Sequence, residues 1–401
     1  MKHRPYTFAA AFWLLSSSAF AGTIDVAAGP DAQSRLQAAL IDAKPGDTVQ
    51  IGAGRFDLTD GLSLDVDKVT VRGAGPGATI LNFKGQKGAG EGLLITSDDV
   101  VIRGLAVEDS KGDGIKSKGA NRIVYHDLRV EWTGGPKTTN GAYGLYPVES
   151  SDILIDKVTV KGASDAGIYV GQSKNIIVRN STAMFNVAGI EIENSYGADV
   201  YGNIAMHNTG GILIFDLPNL PQMGGHNVRI FSNRVAKNDT PNFAPKGNIV
   251  ASVPVGTGVM VMANRDVVVF GNALEENSSA NVMLVSYVSK YNDATYNPMP
   301  RRVTVRDNVH GRSGFAPAYG GSPEANAMLG AGQFAVLWDG LDSTPASLRV
   351  TDKVAMLSMG FPRQGAGPEE AKPAPADLSG TAIMPEPPMI VLPASMEAAI
   401  Q

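Results

Sequence analysis

The sequence predicts an all-β fold, a single-stranded parallel β-helix, because it contains a short repeat, strand-like stretches inside the repeat and almost no helical pattern. Alternating apolar stretches such as "NIIVRN" at 175–180 and "DVVVFGN" at 266–272 lie between the repeated steps. A period of this length with short strands is typical of a solenoid of about nine to ten coils between residues 47 and 355. The repeated steps, most of them 22 or 23 residues apart, are Gly92-Leu93, Gly114-Ile115, Gly144-Leu145, Gly167-Ile168, Gly189-Ile190, Gly211-Ile212, Gly258-Val259 and Asn281-Val282.

The composition fits a folded protein that does not bind nucleic acid. The chain has 401 residues, of which 43% are apolar, and its formal net charge is −5. Because it has no basic field, DNA or RNA binding is not expected. It has no cysteine, so stability must come from packing and backbone hydrogen bonds. We expect a monomer.

The first residues have the features of a secretory signal peptide. Lys2, His3 and Arg4 precede the apolar run 6–20, and Ala19-Phe20-Ala21 matches a small-x-small cleavage site. We therefore assign residues 1–21 to a signal peptide and expect a periplasmic or secreted protein. No later segment is apolar enough to span a membrane, so no span is expected after cleavage.

The rest of the chain is assigned to one β-helix domain, residues 22–355, followed by a proline-rich tail, residues 356–401. Leu36, Ala39, Leu40 and Ala43 follow helical spacing, which predicts a capping helix within residues 31–46. Such a helix would cover the open end of the solenoid. The tail is expected to be flexible or to wrap around the surface.

Alternation along the strands predicts which side chains point inward and which point outward. The expected interior stacks are Ile168 and Val170, Ile190 and Ile192, and Ile212 and Ile214. The expected outward columns are Lys116, Tyr146, Tyr169, Glu191 and Leu213, and beside them Lys118, Val148, Gly171, Glu193 and Phe215.

Asparagines recur at two corners of the coils and predict amide ladders between coils. Asn tolerates the left-handed backbone of a tight corner, and stacked amides can hydrogen-bond to each other. The two series are Asn203, Asn233, Asn272 and Asn308, and Asn186, Asn208, Asn238 and Asn277.

The cap segment "LQAALIDAKPGDTVQIGAGRFDL" and coils such as "NIIVRNSTAMFNVAGIEIENS" resemble the right-handed parallel β-helix proteins of the pectin lyase-like superfamily. Mannuronan C-5-epimerases are the characterised relatives with the most similar pattern. The resemblance implies a right-handed coil and a polysaccharide ligand. In "YGLYPVES", however, Tyr146, Pro147, Val148 and Glu149 occupy the positions of the family's catalytic Asp-Pro-His-Asp motif, and Gln172 replaces its arginine. The catalytic residues of the epimerases are therefore absent.

The chemistry of the side chains in the outward columns, taken without the family resemblance, also indicates a candidate site. Elimination or epimerisation of a uronate needs a base together with a cation that lowers the pKa of the α-proton. The candidate catalytic residues are Lys116, Tyr146, Tyr169 and Glu191, and the candidate substrate-binding residues are Lys118, Glu149, Glu193, Tyr287, Tyr291 and Tyr296. A glycoside hydrolase would instead use a carboxylate pair, for which Glu191 and Glu193 are spaced suitably along their strand.

Two further interpretations stay open at this point. Glu149, Asp165, Glu191, Glu193 and Asp216 lie on adjacent coils and could supply oxygen ligands to Ca²⁺, although no specific metal motif is present. The alternative function is a non-catalytic scaffold that docks another exported protein through the tyrosine-rich loop 286–300 and the tail. The chain resembles most a subgroup of exported bacterial β-helix proteins that is often paired with a c-type cytochrome, and this resemblance implies that kind of partner.

Overall fold

The structure, a computed structural model, describes residues 21–88, 90–318, 333–341, 347–380 and 384–401. The predicted signal peptide therefore lies outside the described residues, apart from its last residue. No helix in the described ranges is long and apolar enough to cross a membrane.

Short β-strands make up nearly all of the regular structure, as predicted. Helix α1 (Ala32–Asp42) lies beside the first coils, and helix α2 (Ala394–Ala398) lies near the C-terminus. The first sixteen strands are β1 (Thr23–Val26), β2 (Thr48–Ile51), β3 (Gly54–Asp57), β4 (Leu62–Leu64), β5 (Thr70–Arg72), β6 (Thr79–Asn82), β7 (Leu93–Ile95), β8 (Val101–Glu108), β9 (Ile115–Lys118), β10 (Ile123–Glu131), β11 (Tyr143–Val148), β12 (Ser151–Lys161), β13 (Ala166–Gly171), β14 (Lys174–Arg179), β15 (Thr182–Met184) and β16 (Ala188–Glu193). The remaining strands are β17 (Tyr196–Tyr201), β18 (Ile204–Met206), β19 (Gly210–Phe215), β20 (His226–Phe231), β21 (Arg234–Ala236), β22 (Thr257–Met262), β23 (Arg265–Phe270), β24 (Ala273–Glu275), β25 (Ala280–Val285), β26 (Arg301–Arg306), β27 (Val309–His310), β28 (Val336–Trp338), β29 (Leu348–Val350), β30 (Met356–Ser358) and β31 (Ala374–Pro375).

The strands form two long sheets that run along the solenoid axis. The first, here called the site sheet, stacks β4, β7, β9, β11, β13, β16, β19, β22, β25, β28 and β30 in parallel and ends with the antiparallel strand β31. The second sheet has 19 strands and forms the other walls of the coils. The site sheet extends into the range assigned to the tail, through Met356–Ser358 and Ala374–Pro375.

The interior stacks follow the predicted alternation. Ile168 lies opposite Ile190, and Ile190 lies opposite Ile212, and all three are fully buried. Full burial of an aliphatic side chain of this size stabilises a fold by about 2 kcal/mol. The repeated glycine is needed because neighbouring coils approach closely: a Cβ on Gly189 would lie 2.5 Å from the carbonyl oxygen of Gly211.

The two predicted asparagine ladders are present. In the first, Asn203 Nδ2 donates to Asn233 Oδ1 at 3.0 Å, Asn233 to Asn272 at 3.0 Å and Asn272 to Asn308 at 2.9 Å. The ladder ends on a carboxylate, because Asn308 Nδ2 donates to Asp352 Oδ2 at 2.9 Å.

One prediction about these asparagines is wrong, namely that they themselves adopt the left-handed backbone conformation. The left-handed conformation is adopted by the residue before each ladder asparagine, not by the asparagine itself, so the asparagines are required for their amides alone. The residues with positive φ are Gly202, Ser232, Gly271 and Asp307 in one ladder and Phe185, His207, Lys237 and Glu276 in the other.

The proline-rich tail docks on the outer surface of the 19-stranded sheet. Leu392 and Met396 pack against Val124, Leu154 and Ile177. In addition, the Arg179 guanidinium donates to both carboxylate oxygens of Glu397, at 2.9 and 2.7 Å. Of the two expectations for the tail, wrapping on the surface describes residues 390–400.

Candidate functional site

The predicted outward columns exist as two rows on the site sheet. In the first row Lys116 lies opposite Tyr146, and Tyr169 lies opposite Glu191. In the second row the order is Lys118, Val148, Gly171, Glu193 and Phe215. The parallel register therefore brings the candidate residues of four coils onto one face.

Burial corrects the expectation that Glu191 and Glu193 stand outward in solvent. Only 1% of Glu191 and 7% of Glu193 is exposed. Insertions from distant coils cover this part of the sheet: Val250 and Val253, from the insertion 237–257, belong to the buried apolar cluster on this face. Alternation gives the face of a strand on which a side chain lies, but it carries no information on what covers that face.

Three tyrosine rings pack together at the border between the open and the covered parts of the rows. The ring centroids of Tyr143 lie 4.4 Å from Tyr146 and 4.5 Å from Tyr169, and Tyr146 and Tyr169 are 5.0 Å apart. Tyr169 donates its hydroxyl to Glu193 Oε1 at 2.7 Å. Tyr143 and Tyr146 are partly exposed, so their rings are accessible to a ligand.

Sequence reasoning missed Tyr143. Strict alternation with Leu145 would have placed its side chain in the interior, but Tyr143 is the first residue of β11, where the chain leaves a corner. The pair of tyrosines in "GAYGLYP" was the only available signal.

Three buried carboxyl groups belong to this part of the face, and the pKa of each is raised. Burial, together with the neighbouring acids, raises the pKa of Glu191 well above its ordinary value, and burial raises the pKa of Glu193 to about 7 and that of Asp165 to about 6. After burial, the charges of Asp165 and Glu193 are the main further causes of the raised pKa of Glu191.

Two carboxyl oxygens in this cluster have no hydrogen-bond partner among the described residues. They are Asp165 Oδ1 and Glu191 Oε2, whereas Asp165 Oδ2 accepts a hydrogen bond from Asn248 Nδ2 at 2.8 Å. Asn248 comes from the insertion 237–257, a contact that no local pattern could have revealed. No group of three or more His, Asp or Glu side chains in the described ranges is arranged to hold a metal ion.

The cations of the two rows are already paired. Lys116 Nζ lies 3.0 Å from Glu91 Oε1, 3.7 Å from Asp113 Oδ2 and 4.8 Å from the centre of the Tyr146 ring. Burial raises the pKa of Asp113 to about 6 against the opposing effect of Lys116.

The remaining substrate-binding candidates lie on either side of this cluster. Lys118 Nζ lies 3.5 Å from Glu149 Oε1 at the exposed edge of the second row. Tyr287, Tyr291 and Tyr296 are in mutual edge-to-face contact and pack on the apolar cluster over the covered half of the sheet.

The tyrosines of the loop 286–300 thus serve to cover the sheet. Tyr296 is 7% exposed, and its hydroxyl donates to the backbone oxygen of Asp216 at 2.5 Å. The structure does not bring these three rings to the partly exposed pair Tyr143 and Tyr146.

Comparisons with known proteins agree with this architecture. The family described as the right-handed β-helix region matches residues 68–221. Fold, register and this match together define a right-handed parallel β-helix protein. No curated protein matches the chain in a sequence comparison.

Among solved structures, the chain is similar to two modules from Azotobacter vinelandii. The A-module of the mannuronan C-5 epimerase AlgE4 superimposes with a TM-score of 0.54 and 14% identity, covering 82% of this chain and 94% of that module. The AlgE6 A-module gives 0.52 and 16%, covering 82% and 92%. The lacto-N-biosidase of family GH136 from Eubacterium ramulus gives 0.51 and 14%, covering 73% and 64%. At these identities the likeness establishes the fold.

Proposed function

We propose that this protein is exported and binds a polysaccharide across β9, β11 and β13, at the partly exposed rings of Tyr143 and Tyr146. The observation that carries the proposal is the packing of these rings on Tyr169, whose hydroxyl donates to Glu193, a carboxyl group whose pKa burial raises to about 7. A titratable group whose pKa is strongly perturbed by burial and charged neighbours is a candidate for a functional site. The activities for which the structural neighbours are named, mannuronan epimerisation and lacto-N-biosidase action, support a saccharide as the ligand.

The charges favour a neutral saccharide over a polyuronate. A uronate carboxylate needs a cation or metal for neutralisation during elimination or epimerisation. Among the described residues of the two rows, however, Lys116 pairs with Glu91 and Asp113, and Lys118 pairs with Glu149. The surroundings are therefore net acidic, which repels an anionic polymer.

Asp113 is the acid best placed to exchange a proton with a bound saccharide. Its side chain is 13% exposed, whereas Glu191 is almost fully covered. Its pKa of about 6 suits a general acid or base near neutral pH. Burial is the main cause that raises the pKa of Tyr146 to about 12, and the charge of Asp113 is the next. The Tyr146 hydroxyl therefore stays protonated.

The test is a binding and turnover assay of the protein with neutral glucans, xylans and mannans and with polyuronates. We expect binding to at least one neutral polymer and the release of new reducing ends. Tyr146→Ala should weaken binding about fivefold through lost ring contact, and Asp113→Asn should abolish turnover without abolishing binding. Asp307→Asn, at a carboxylate that is 71% exposed, is the matched control.

Each outcome has a separate meaning. If no polymer binds, the saccharide proposal fails; if a neutral polymer binds and no bond is cleaved, only the role of Asp113 fails. Binding restricted to polyuronates would refute the charge argument. Docking of another exported protein is not put forward, because the tyrosine-rich loop and the tail both pack on the protein itself.

A further inference from the structure

Three arginines cluster at a corner of the solenoid, where the chain passes from the site sheet to the 19-stranded sheet. Arg265 is the first residue of β23, and Arg301 and Arg302 are the first two residues of β26. The parallel register places Arg265 opposite Arg301, at one strand spacing of about 4.8 Å. All three side chains are partly exposed, so the cluster, here called the basic corner, can be reached from solvent.

The carboxylates near the basic corner do not balance its charge. Asp266 serves two of the arginines, because it accepts hydrogen bonds from Arg302 Nε at 2.5 Å, Arg302 Nη2 at 2.7 Å and Arg265 Nη1 at 2.8 Å. Asp216 also acts on the arginines through its charge, but its Oδ1 accepts hydrogen bonds from two backbone nitrogens instead. Three guanidinium groups and two carboxylates leave one net positive charge.

The guanidinium of Arg301 has free donors. Among the described residues its acceptors are two backbone oxygens, which its Nη1 contacts at 2.9 Å on Met299 and at 3.4 Å on Ala263. Its Nε and Nη2 have no acceptor there. Burial is the main cause that lowers the pKa of Arg301, and the charge of Arg265 is the next. The two guanidinium groups therefore repel each other, and a bound anion would relieve this repulsion.

The contact between Arg265 and His226 leaves a second donor unsatisfied. His226 Nδ1 lies 2.7 Å from the carbonyl oxygen of Gly224 and 3.2 Å from Arg265 Nη2. Because a carbonyl oxygen can only accept, Nδ1 carries the proton and cannot accept from the guanidinium. Burial lowers the pKa of His226, so the ring is neutral near pH 7 and adds no charge to the basic corner.

We propose that Arg265 and Arg301 bind an oxyanion with a single negative charge, the charge of a sulfate ester or a carboxylate. Guanidinium groups donate paired hydrogen bonds to the oxygens of such groups. One net positive charge matches one negative charge. The basic corner follows β22, three strands beyond β13 in the site sheet, so this site does not depend on the proposed saccharide function.

The experiment titrates the protein, labelled with ¹⁵N in its arginine side chains, with methyl sulfate and with acetate at constant ionic strength. The Nε signals of Arg265 and Arg301 should shift and saturate with at least one of the two anions. The signal of Arg234, whose guanidinium lies 3.0 Å from Glu275, should stay unchanged. The anion that saturates the shifts at the lower concentration identifies the group that the site prefers. A titration with sodium chloride controls for general screening.

Two variants should change the affinity in opposite directions. Arg301→Gln removes one guanidinium and should weaken binding about tenfold. Asp266→Asn removes a competing carboxylate and should tighten binding about fivefold, a gain that a folding defect could not produce. Arg234→Gln, the matched control, should bind as the wild type does. The proposal is overturned if neither anion shifts the two signals, if chloride shifts them equally, or if either variant binds with unchanged affinity.

Discussion

The buried carboxyl of Glu193 makes stability depend on pH in a way that one substitution should remove. Burial raises its pKa from 4.5 to about 7, although the hydrogen bond from Tyr169 opposes the rise. In the unfolded chain Glu193 ionises near its ordinary pKa, so between pH 4.5 and about 7 the folded state holds a proton that the unfolded state has lost. The stability that Glu193 contributes to the folded state is therefore fully present below pH 4.5 and is lost as the pH rises through 7.

The magnitude follows from the size of the rise in pKa. From 4.5 to about 7 it corresponds to about 3 kcal/mol of stability lost at pH 8. Glu193→Gln removes the ionisation and keeps an oxygen that can accept the Tyr169 hydroxyl proton. Relative to the wild type, the variant should therefore gain about 2 to 3 kcal/mol between about pH 5 and pH 8.

Urea unfolding at several pH values, followed by circular dichroism, measures this difference directly. Asp307→Asn, at an exposed carboxylate, is the control and should leave the pH profile unchanged. A stability difference between Glu193→Gln and the wild type that stays constant from pH 5 to pH 8, or that falls with rising pH, would refute the reasoning.

Three other substitutions test the scaffold. Asn233→Ala removes one rung of an amide ladder and leaves buried partners unpaired, so urea unfolding should show a loss on the order of 3 kcal/mol; a loss below about 1 kcal/mol would contradict this. Gly189→Ala places a Cβ 2.5 Å from the Gly211 oxygen and should cost about 1 to 3 kcal/mol in the same assay, whereas an unchanged unfolding midpoint would mean that the coils can separate. Glu397→Ala removes the ion pair with Arg179, so hydrogen exchange of residues 390–400 should accelerate while that of the coils stays unchanged.

Local periodicity explains how much of the fold could be predicted from the sequence. Ile190 and Ile212 repeat at the coil period and alternate along their strands, so both their stacking and their burial followed from the pattern. The amides of Asn203 and Asn233 were equally predictable, because each ladder position is set by its own coil. Their neighbours Gly202 and Ser232 carry the left-handed backbone, which a series of asparagines does not reveal.

The site was less predictable because contacts between distant segments determine it. The face of Glu191 followed from alternation, but its burial and raised pKa depend on an insertion about 60 residues further along the chain. The bond between Asn248 and Asp165 joins residues 83 positions apart. No repeat encodes such contacts, so a column that was expected to be open proved to be partly covered.

The asparagine ladder from Asn203 to Asn308 also has a net dipole. Every rung donates towards the C-terminal coils, so the amide dipoles add along the axis, much as peptide dipoles add in a helix. The positive end of this array meets the Asp352 carboxylate. Burial alone would raise the pKa of Asp352, but the hydrogen bonds from His310 and Asn308 together have the larger effect. The pKa of Asp352 is therefore below its ordinary value. Asp352 therefore acts as an anionic cap for a dipole built entirely from side chains.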